Sequence, residues 1–327
     1  MKTQLLSIIS IATIIAMLSS CETLEFEEPG NLVPLTVVEN PILPSISVNN
    51  TLLHAQTFGN PGDPMIVVLH GGPGADYRSI LNCQGFANDG YYVVFYDQRG
   101  SGLSQRHDAE IYTMQKHIDD LEAVINHFRQ GPDQQLILMG HSWGAMLATA
   151  YVNDYPDRID GLVLMEPGGF TWEVTRDYIS RSRVLNLFAE ETSDYVYLDQ
   201  IISSDEHNAL DYKSDLRLAP IFAEGNITGD QGPYPYWRSG SVCATATQNY
   251  AEENSFDFTA GLDLYTTRVL FVYSEFNEAY GLEHAEEVSS AYPSVQLIEI
   301  KGTGHEIPYF GWTNFHPVAL TYLQELK

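Results

Sequence analysis

The pentapeptide at residues 140–144, Gly-His-Ser-Trp-Gly, is the feature that most constrains the fold of this chain. It follows an apolar run at 136–139 and precedes a helix-forming run at 145–150. A strand, a Gly-x-Ser-x-Gly turn and a helix in that order are typical of the nucleophile elbow, where two glycines allow a sharp turn that presents the serine hydroxyl above the sheet edge. We therefore predict that Ser142 is a nucleophile. The alternative is a tight turn with a serine that faces solvent.

Apolar runs alternate with helical patterns along most of the chain. Two runs have the unbroken apolar character of strands that are buried on both faces, at residues 65–69 and 91–96. Four further strands are predicted at 136–139, 159–165, 268–273 and 295–300. Helical patterns follow at 113–128, 282–291 and 313–326, and residues 45–58 suggest an opening antiparallel pair. The alternation predicts an α/β fold with a mostly parallel, doubly wound sheet.

The stretch 167–258 interrupts this alternation. It is rich in Tyr, Asp, Glu and Ser, has a helical piece at 177–188, and lies between two strands of the predicted sheet. We expect it to form a largely helical cap, inserted over the mouth of the active site. The α/β core would then comprise residues 46–166 and 259–327.

The charge and composition exclude several classes of partner. The formal net charge is −27 over 327 residues, so the chain cannot neutralise phosphates, and nucleic acid is not an expected partner. The sequence shows no metal-spaced Cys/His cluster and no phosphate-binding glycine loop. It therefore predicts neither a metal nor a cofactor.

The first 45 residues are expected to direct and tether the protein. Lys2 precedes an apolar stretch, 5–17, that is too short for a comfortable membrane span. Residues 18–21, Leu-Ser-Ser-Cys, resemble the end of a bacterial lipoprotein signal, in which the cysteine is lipidated and becomes the new N-terminus. This predicts a signal peptide at 1–20, a lipid anchor in the membrane at Cys21, and a tether at 21–45. The location would be extracytoplasmic, on the periplasmic face or the cell surface.

Two alternatives remain open for these features. A secretory signal without lipidation would also fit the apolar stretch. Cys83 and Cys243 could pair in an oxidising compartment, although separate buried thiols are the favoured interpretation for two cysteines that form no larger framework.

The base that would activate Ser142 is expected late in the chain, because this fold orders its triad as serine, acid, histidine. His305 lies in Gly-Thr-Gly-His, residues 302–305, directly after the last predicted strand. That position is on the same carboxyl edge of the sheet as the elbow. We predict that His305 is the general base; a surface loop histidine is the alternative.

The acid that orients this histidine has more than one candidate. The usual place is the loop after the strand 268–273, where Asn277 stands in the position of the expected aspartate. An amide can orient a histidine but supplies no negative charge. Glu166 ends the neighbouring strand and is the favoured acid. Glu278 and Glu275 remain alternatives, as does Asn277 in a charge-free role.

An oxyanion hole needs two preorganised backbone N–H groups. One is expected from Trp143, directly after the serine. The other is expected from the loop 70–74, His-Gly-Gly-Pro-Gly, which follows the strand 65–69 and whose glycines let an amide approach the substrate. Gly72 is the predicted donor.

Three motifs together resemble the proline iminopeptidase branch of the α/β-hydrolases, peptidase family S33. They are the loop 70–74, the segment 96–104 (Tyr-Asp-Gln-Arg-Gly-Ser-Gly-Leu-Ser) and the elbow 140–144. The resemblance covers about residues 60–166 and 268–306. It implies a serine peptidase that removes an N-terminal residue, often proline, from short peptides without a metal. It also implies that Asp97 and Arg99 are structural links beneath the site.

The sequence departs from that branch at two places. Asn277 occupies the acid position, and the place of Glu166 is instead similar to the acid site of haloalkane dehalogenases. Iminopeptidases also hold the substrate amine with cap glutamates, one of them in a Trp-rich stretch that ends Trp-Glu. The nearest match, Tyr-Trp-Arg-Ser-Gly-Ser at 236–241, has no glutamate. The remaining candidates for the amine are Glu224, Glu252 and Glu253.

Three hypotheses for function follow. The first is a lipid-anchored serine aminopeptidase of proline iminopeptidase type that acts on short peptides. The second keeps the fold and mechanism but takes a carboxylic ester or amide substrate. The third, motivated by Asn277, is a surface binding lipoprotein that has lost catalysis.

Overall fold

The computed structural model describes residues 30–182, 204–218 and 227–326. The chain divides into a short unit, Met1–Leu32, of which only the last three residues are described, and a unit of Val33–Lys327. The signal peptide, the lipidation site at Cys21, the first part of the tether and the amine candidate Glu224 lie outside the described residues.

An eight-stranded sheet forms the centre of the larger unit. Its strands are β1 (Ser45–Val48), β2 (Thr51–Phe58), β3 (Met65–Leu69), β4 (Tyr92–Tyr96), β5 (Leu136–His141), β6 (Gly161–Met165), β7 (Val269–Ser274) and β8 (Val295–Ile300). The spatial order is β1-β2-β4-β3-β5-β6-β7-β8. Strand β2 pairs antiparallel with β1 and β4, and all the other pairs are parallel. The predicted fold class is confirmed.

Helices connect the strands. In the described residues they are α1 (Met114–Phe128), α2 (Trp143–Asp154), α3 (Trp172–Ser182), α4 (His207–Leu218), α5 (Ser241–Asn254), α6 (Gly281–Ser289), α7 (Ile307–Phe310) and α8 (Trp312–Glu325). Helix α1 begins as its sequence predicts, because the Thr113 hydroxyl accepts a hydrogen bond from Lys116 N at 3.2 Å. None of the helices in the described residues is long and apolar enough to cross a membrane.

The sheet is buried on both faces. Along β3, Met65, Val67 and Leu69 pack into one apolar cluster with residues of α1, α2 and α6. The alternate residues, Ile66 and Val68, pack into a second cluster with residues of α8. Successive side chains of a strand point to opposite faces. The unbroken apolar run that predicted a strand thus supplies both cores.

Helices α3, α4 and α5 lie in the segment between β6 and β7 that the sequence assigns to a cap. Helix α5 begins beside the glycine loop, where Gly240 N donates to Gly74 O at 2.7 Å. That this segment covers the mouth of the active site stays a prediction, because residues 183–203 and 219–226 are outside the described part of the chain.

Close backbone packing shapes the turn between β5 and α2. Ser142 has φ 52° and ψ −119°, a strained conformation for a residue with a side chain. A Cβ atom on Gly144 would lie 2.2 Å from Leu69 O, and one on Gly140 would lie 2.4 Å from Gly144 O. Only glycine fits at these two positions, so the turn holds Ser142 directly against the end of β3.

Gly144→Ala is expected to lower the free energy of unfolding by about 1–3 kcal/mol, because the backbone must move to admit the methyl group. The matched control is Gly131→Ala, where a Cβ meets nothing within 4 Å and the expected change is within about 0.5 kcal/mol. Urea unfolding of both variants measures the difference. Equal stabilities for the two variants would contradict this description of the turn.

Candidate active site

Ser142 lies between the end of β6 and the glycine loop. Its backbone N donates to Met165 O at 2.8 Å. A Cβ on Gly71 would lie 3.2 Å from Ser142 Cβ, so the loop 70–74 packs against the serine. The Ser142 residue itself is only half-buried. A substrate carbonyl could therefore reach its hydroxyl next to the backbone of the loop.

The side chains of His305 and Glu166 meet in a short hydrogen bond. His305 Nδ1 lies 2.7 Å from Glu166 Oε2, and the carboxylate is fully buried. An ionised carboxylate only accepts, so Nδ1 carries the proton and Nε2 is left for other partners. That tautomer is the one a histidine needs to take a proton from a serine.

Four donors surround the Glu166 carboxylate. Ser274 N and Ser274 Oγ donate to Oε1 at 2.7 and 2.6 Å. Asn277 Nδ2 donates to Oε2 at 2.8 Å, beside the His305 bond. A buried carboxylate is costly unless it is hydrogen-bonded. Ser274, the last residue of β7, and Asn277, in the loop after it, supply three of these four bonds. Asn277 thus contacts the acid rather than the histidine.

The pKa values of the pair shift in opposite directions. Burial alone lowers the pKa of His305, but the hydrogen bond and charge of Glu166, with the charges of Glu306 and Asp230, raise it to about 9. Burial alone raises the pKa of Glu166, but the hydrogen bond and charge of His305 and the Ser274 donors hold it below its ordinary value. The pair therefore favours an imidazolium beside a carboxylate.

The other candidate acids have other partners. Glu275 is exposed, and its carboxylate accepts from Gly302 N at 2.9 Å and from Lys301 Nζ at 3.2 Å. Glu278 is also exposed, and its backbone N donates to Ile227 O. The structure brings Glu166, and neither of these two residues, into hydrogen-bond contact with His305.

His141 joins the elbow to the histidine loop. Its Nε2 donates to His305 O at 2.9 Å, and the two rings lie 4.7 Å apart. Burial and the neighbouring His305 lower the pKa of His141 to about 3, so this ring stays neutral. The residue before Ser142 therefore fixes the backbone of residue 305.

Side-chain hydrogen bonds connect the glycine loop with Trp143. His70 Nδ1 donates to Gly71 O at 2.8 Å, and its Nε2 accepts from Gln98 N at 2.9 Å. The Gln98 side chain donates to His70 O at 3.0 Å and accepts from Trp143 Nε1 at 2.8 Å. All these groups are buried, so the two segments expected to supply oxyanion donors are held in fixed relation.

Gly72 has a conformation that suits glycine alone. Its φ is +119°, and a Cβ would lie 2.6 Å from Gly74 N and 2.7 Å from Ala75 N. The Gly72-Pro73 peptide bond is cis. The loop can take this path beside Ser142 only because no side chain occupies position 72.

Asp97 and Arg99 form links around the loop after β4. Asp97 accepts from His54 Nδ1, Leu103 N and Tyr77 N at 2.8–3.0 Å. Arg99 donates to both oxygens of Asp120 at 2.7 Å. Both residues are buried, so their role is to hold loops in place.

The two described candidates for the substrate amine lie far from the glycine loop. Glu252 and Glu253 are exposed in the last turn of α5. The opposite end of this helix, at Gly240, contacts the loop. Twelve helical residues span about 18 Å, which separates the backbone of Glu252 from the end of the helix that contacts the loop. In the Trp-containing stretch, Arg238 is buried and its Nε donates to Asp211 at 2.7 Å.

Several residues of the site were not identified from the sequence. They are Ser274 and Tyr178, which hydrogen-bond Glu166 and Asn277 respectively, His141 in its bond to His305, and the buried carboxylates Asp230 and Glu306. Glu306 directly follows His305, and that adjacency was the one available signal. Cys83 and Cys243 are buried free thiols. Within the described ranges, no group of three or more His, Cys, Asp or Glu could hold a metal.

Comparisons with known proteins identify relatives of this chain. Residues 61–218 match the family described as serine aminopeptidase, S33. Proline iminopeptidase from Thermoplasma volcanium is 23% identical over 282 residues, which cover 80% of this chain and 88% of that protein. Proline iminopeptidase from Heyndrickxia coagulans is 27% identical over 263 residues, which cover 76% of this chain and 86% of that protein.

Solved structures show the same fold. Proline iminopeptidase from Mycobacterium smegmatis superimposes with a TM-score of 0.60 at 18% identity, over 86% of this chain and 98% of that one. A thermophilic esterase from Thermogutta terrifontis superimposes with a TM-score of 0.58 at 19% identity, over 87% of this chain and 97% of the esterase chain.

The sheet, the elbow and these comparisons define the class: the chain is an α/β-hydrolase. Within that superfamily it resembles the proline iminopeptidase branch of family S33, as its three loop motifs predicted.

The His305–Glu166 pair makes stability depend on pH. The pKa of His305 is raised from an ordinary 6.5 to about 9 in the fold. Protonation therefore stabilises the folded state fully below pH 6.5, and this contribution is lost as the pH rises through about 9. Between these values the free energy of unfolding of the wild type should fall by about 3 kcal/mol more than that of Glu166→Gln.

Urea unfolding between pH 6 and 10 measures this difference. Glu275→Gln is the matched control, because it removes an exposed carboxylate from the same sheet edge, and it should follow the wild-type curve. Parallel curves for the wild type and Glu166→Gln would show that Glu166 does not raise the pKa of His305.

Proposed function

We propose that the protein is a serine hydrolase in which Ser142 is the nucleophile, His305 the general base and Glu166 the acid. The observation that carries the proposal is the 2.7 Å contact between His305 Nδ1 and Glu166 Oε2, on a histidine whose backbone is bonded to the residue before Ser142. A buried carboxylate orients the imidazole and stabilises it once it is protonated.

In the proposed reaction His305 takes the Ser142 proton as the hydroxyl attacks the substrate carbonyl. Backbone N–H groups of Gly72 and Trp143 stabilise the oxyanion of the tetrahedral intermediate. His305 then gives its proton to the leaving group, and water hydrolyses the acyl-enzyme with the same histidine as base. Because the pKa of His305 is raised to about 9, its neutral, basic form grows as the pH rises toward that value.

The favoured activity is that of an aminopeptidase of proline iminopeptidase type, which releases the N-terminal residue of short peptides. The match to the serine aminopeptidase family and the named relatives support this choice. The three loop motifs support it as well, and the net charge of −27 favours substrates with a positive charge.

A carboxylic ester or amide hydrolase is the second candidate. The stretch 236–241 has no glutamate that could bind a substrate amine, and its Arg238 pairs with Asp211. A non-catalytic binding role was suggested by Asn277 alone. Since Glu166 carries the negative charge that Asn277 lacks, its contact with His305 supports catalysis instead.

Ser142→Ala is expected to lower kcat at least about 10⁴-fold, and Glu166→Gln about 10³- to 10⁴-fold, because one removes the nucleophile and the other the charge behind the base. Glu275→Gln should stay within about twofold. Initial rates on prolyl p-nitroanilide and on p-nitrophenyl butyrate measure both activities. Full activity of Ser142→Ala would end the proposal, and a strong preference for the ester would favour the second candidate.

We also propose that the mature protein begins at Cys21 and is anchored by lipid on the extracytoplasmic side of a membrane. The support is the sequence alone: an apolar stretch, Leu-Ser-Ser before the cysteine, and an acidic, proline-containing segment after it.

Cys21→Ser should move the protein from the membrane fraction to the soluble fraction and abolish incorporation of labelled palmitate, because the acceptor thiol is gone. Cys83→Ser, which changes a buried thiol in the folded unit, is the matched control and should remain in the membrane fraction. Unchanged fractionation of Cys21→Ser would contradict the anchor.

A further inference from the structure

An aminopeptidase must recognise an amine at a fixed place. The α-amine of a substrate is two covalent bonds from the scissile carbonyl carbon, a separation of about 2.5 Å. Any group that binds this amine must therefore adjoin Ser142. Glu252 and Glu253, at the far end of α5, do not meet this requirement. The relevant carboxylates are those that border the elbow and the histidine loop.

Glu306 is such a carboxylate. It follows His305 directly, and its Oε2 lies 4.0 Å from Nδ1 of His141, the residue that precedes Ser142. The residue is 6% exposed, and Oε2 has no hydrogen-bond partner. Buried polar atoms are nearly always partnered, so this oxygen needs an explanation.

Glu306 contacts the segment 227–240. Ser79 and Tyr234 hydrogen-bond its carboxylate, and Tyr234 belongs to that segment. Glu306 N donates to Asp230 Oδ1 at 2.8 Å. Glu306 thus lies where the segment between β6 and β7 contacts residues of the elbow and the histidine loop.

In the described part of the chain, the carboxyl groups of Glu166, Glu306 and Asp230 at this junction outnumber the one cationic group there, the imidazole of His305. Burial and the neighbouring Glu306 raise the pKa of Asp230 to about 6, although His305 opposes this shift. Burial raises the pKa of Glu306; the charge of His305 lowers it, and the charge of Glu166 adds to the increase. Among the described residues no Lys or Arg forms an ion pair with Glu306. A cation brought by a ligand would relieve the repulsion between these carboxylates and give Oε2 its missing donor.

We propose that Glu306, supported by Asp230, is the subsite that binds the protonated α-amine of the substrate. The inference rests on the proposed aminopeptidase function and names the residue that selects its substrate. An ammonium group carries three donors and a compact charge, which suits a buried carboxylate oxygen with no other partner. An N-acylated substrate would leave that oxygen buried and unpaired, which penalises its binding.

The test compares a substrate with a free amine and one without. Glu306→Gln keeps the shape of the side chain and removes its charge. It should lower kcat/KM for prolyl p-nitroanilide about 10- to 100-fold more than kcat/KM for p-nitrophenyl butyrate, mainly through KM. The ester reaction reports any effect of the lost charge on the pKa of His305. Glu306→Asp keeps the charge and should retain part of the preference for the substrate with a free amine. Glu286→Gln, on the exposed face of α6, is the charge-matched control and should behave as wild type.

A second measurement does not depend on peptidase turnover. Prolinamide should inhibit ester hydrolysis competitively in the wild type and about 10-fold or more weakly in Glu306→Gln. Equal loss of both activities in Glu306→Gln would show that the residue acts through His305 or the fold, and would overturn the subsite. The subsite would also be overturned if Glu306→Gln kept the wild-type preference for prolyl p-nitroanilide and the wild-type inhibition by prolinamide. Failure of the serine mechanism would appear separately, as activity that survives in Ser142→Ala.

Discussion

The hydrogen bond between His305 and Glu166 is the interaction on which the rest of the site depends. It joins the end of β6 to the loop after β8, two segments that are 139 residues apart in the chain. Glu166 reaches this place with φ 46°. Three donors hold its carboxylate, two from Ser274 at the end of β7 and one from Asn277 in the loop after it. The ends of three adjacent strands are thereby tied to one buried charge, and Ser142 lies beside them.

Much of this arrangement follows from local sequence pattern. Continuous apolar runs predict the strands, because a parallel sheet is buried on both faces, and the two glycines around Ser142 predict the turn, because a Cβ at either position would collide with backbone. Glu166 was a reasonable candidate since parallel neighbours such as β5 and β6 end at one edge. The hydrogen bond from Asn277 to Glu166 was not predictable, because it depends on the path of a loop 111 residues away.

The residues predicted to bind the substrate amine also depend on contacts between remote segments, which the sequence does not show. Glu252 and Glu253 were chosen for their charge within the expected cap, but a sequence does not state which end of a helix faces a site. Helix α5 presents its first residue, not its last turn, to the glycine loop. Glu306 was overlooked beside His305 because burial and a missing hydrogen-bond partner are properties of the folded chain. In both instances the deciding quantity is a distance between remote segments.

The measurement that tests the account most directly is proton NMR of the protein with ¹⁵N-labelled histidine, to observe the Nδ1 proton of His305. A proton shared with a buried carboxylate gives a far-downfield signal that exchanges slowly with water. The account predicts this signal in the wild type, its loss when Glu166 is replaced by glutamine, and its survival when Glu275 or Glu278 is replaced. A signal that survives the Glu166 replacement and disappears with either of the others would contradict the assignment of the acid.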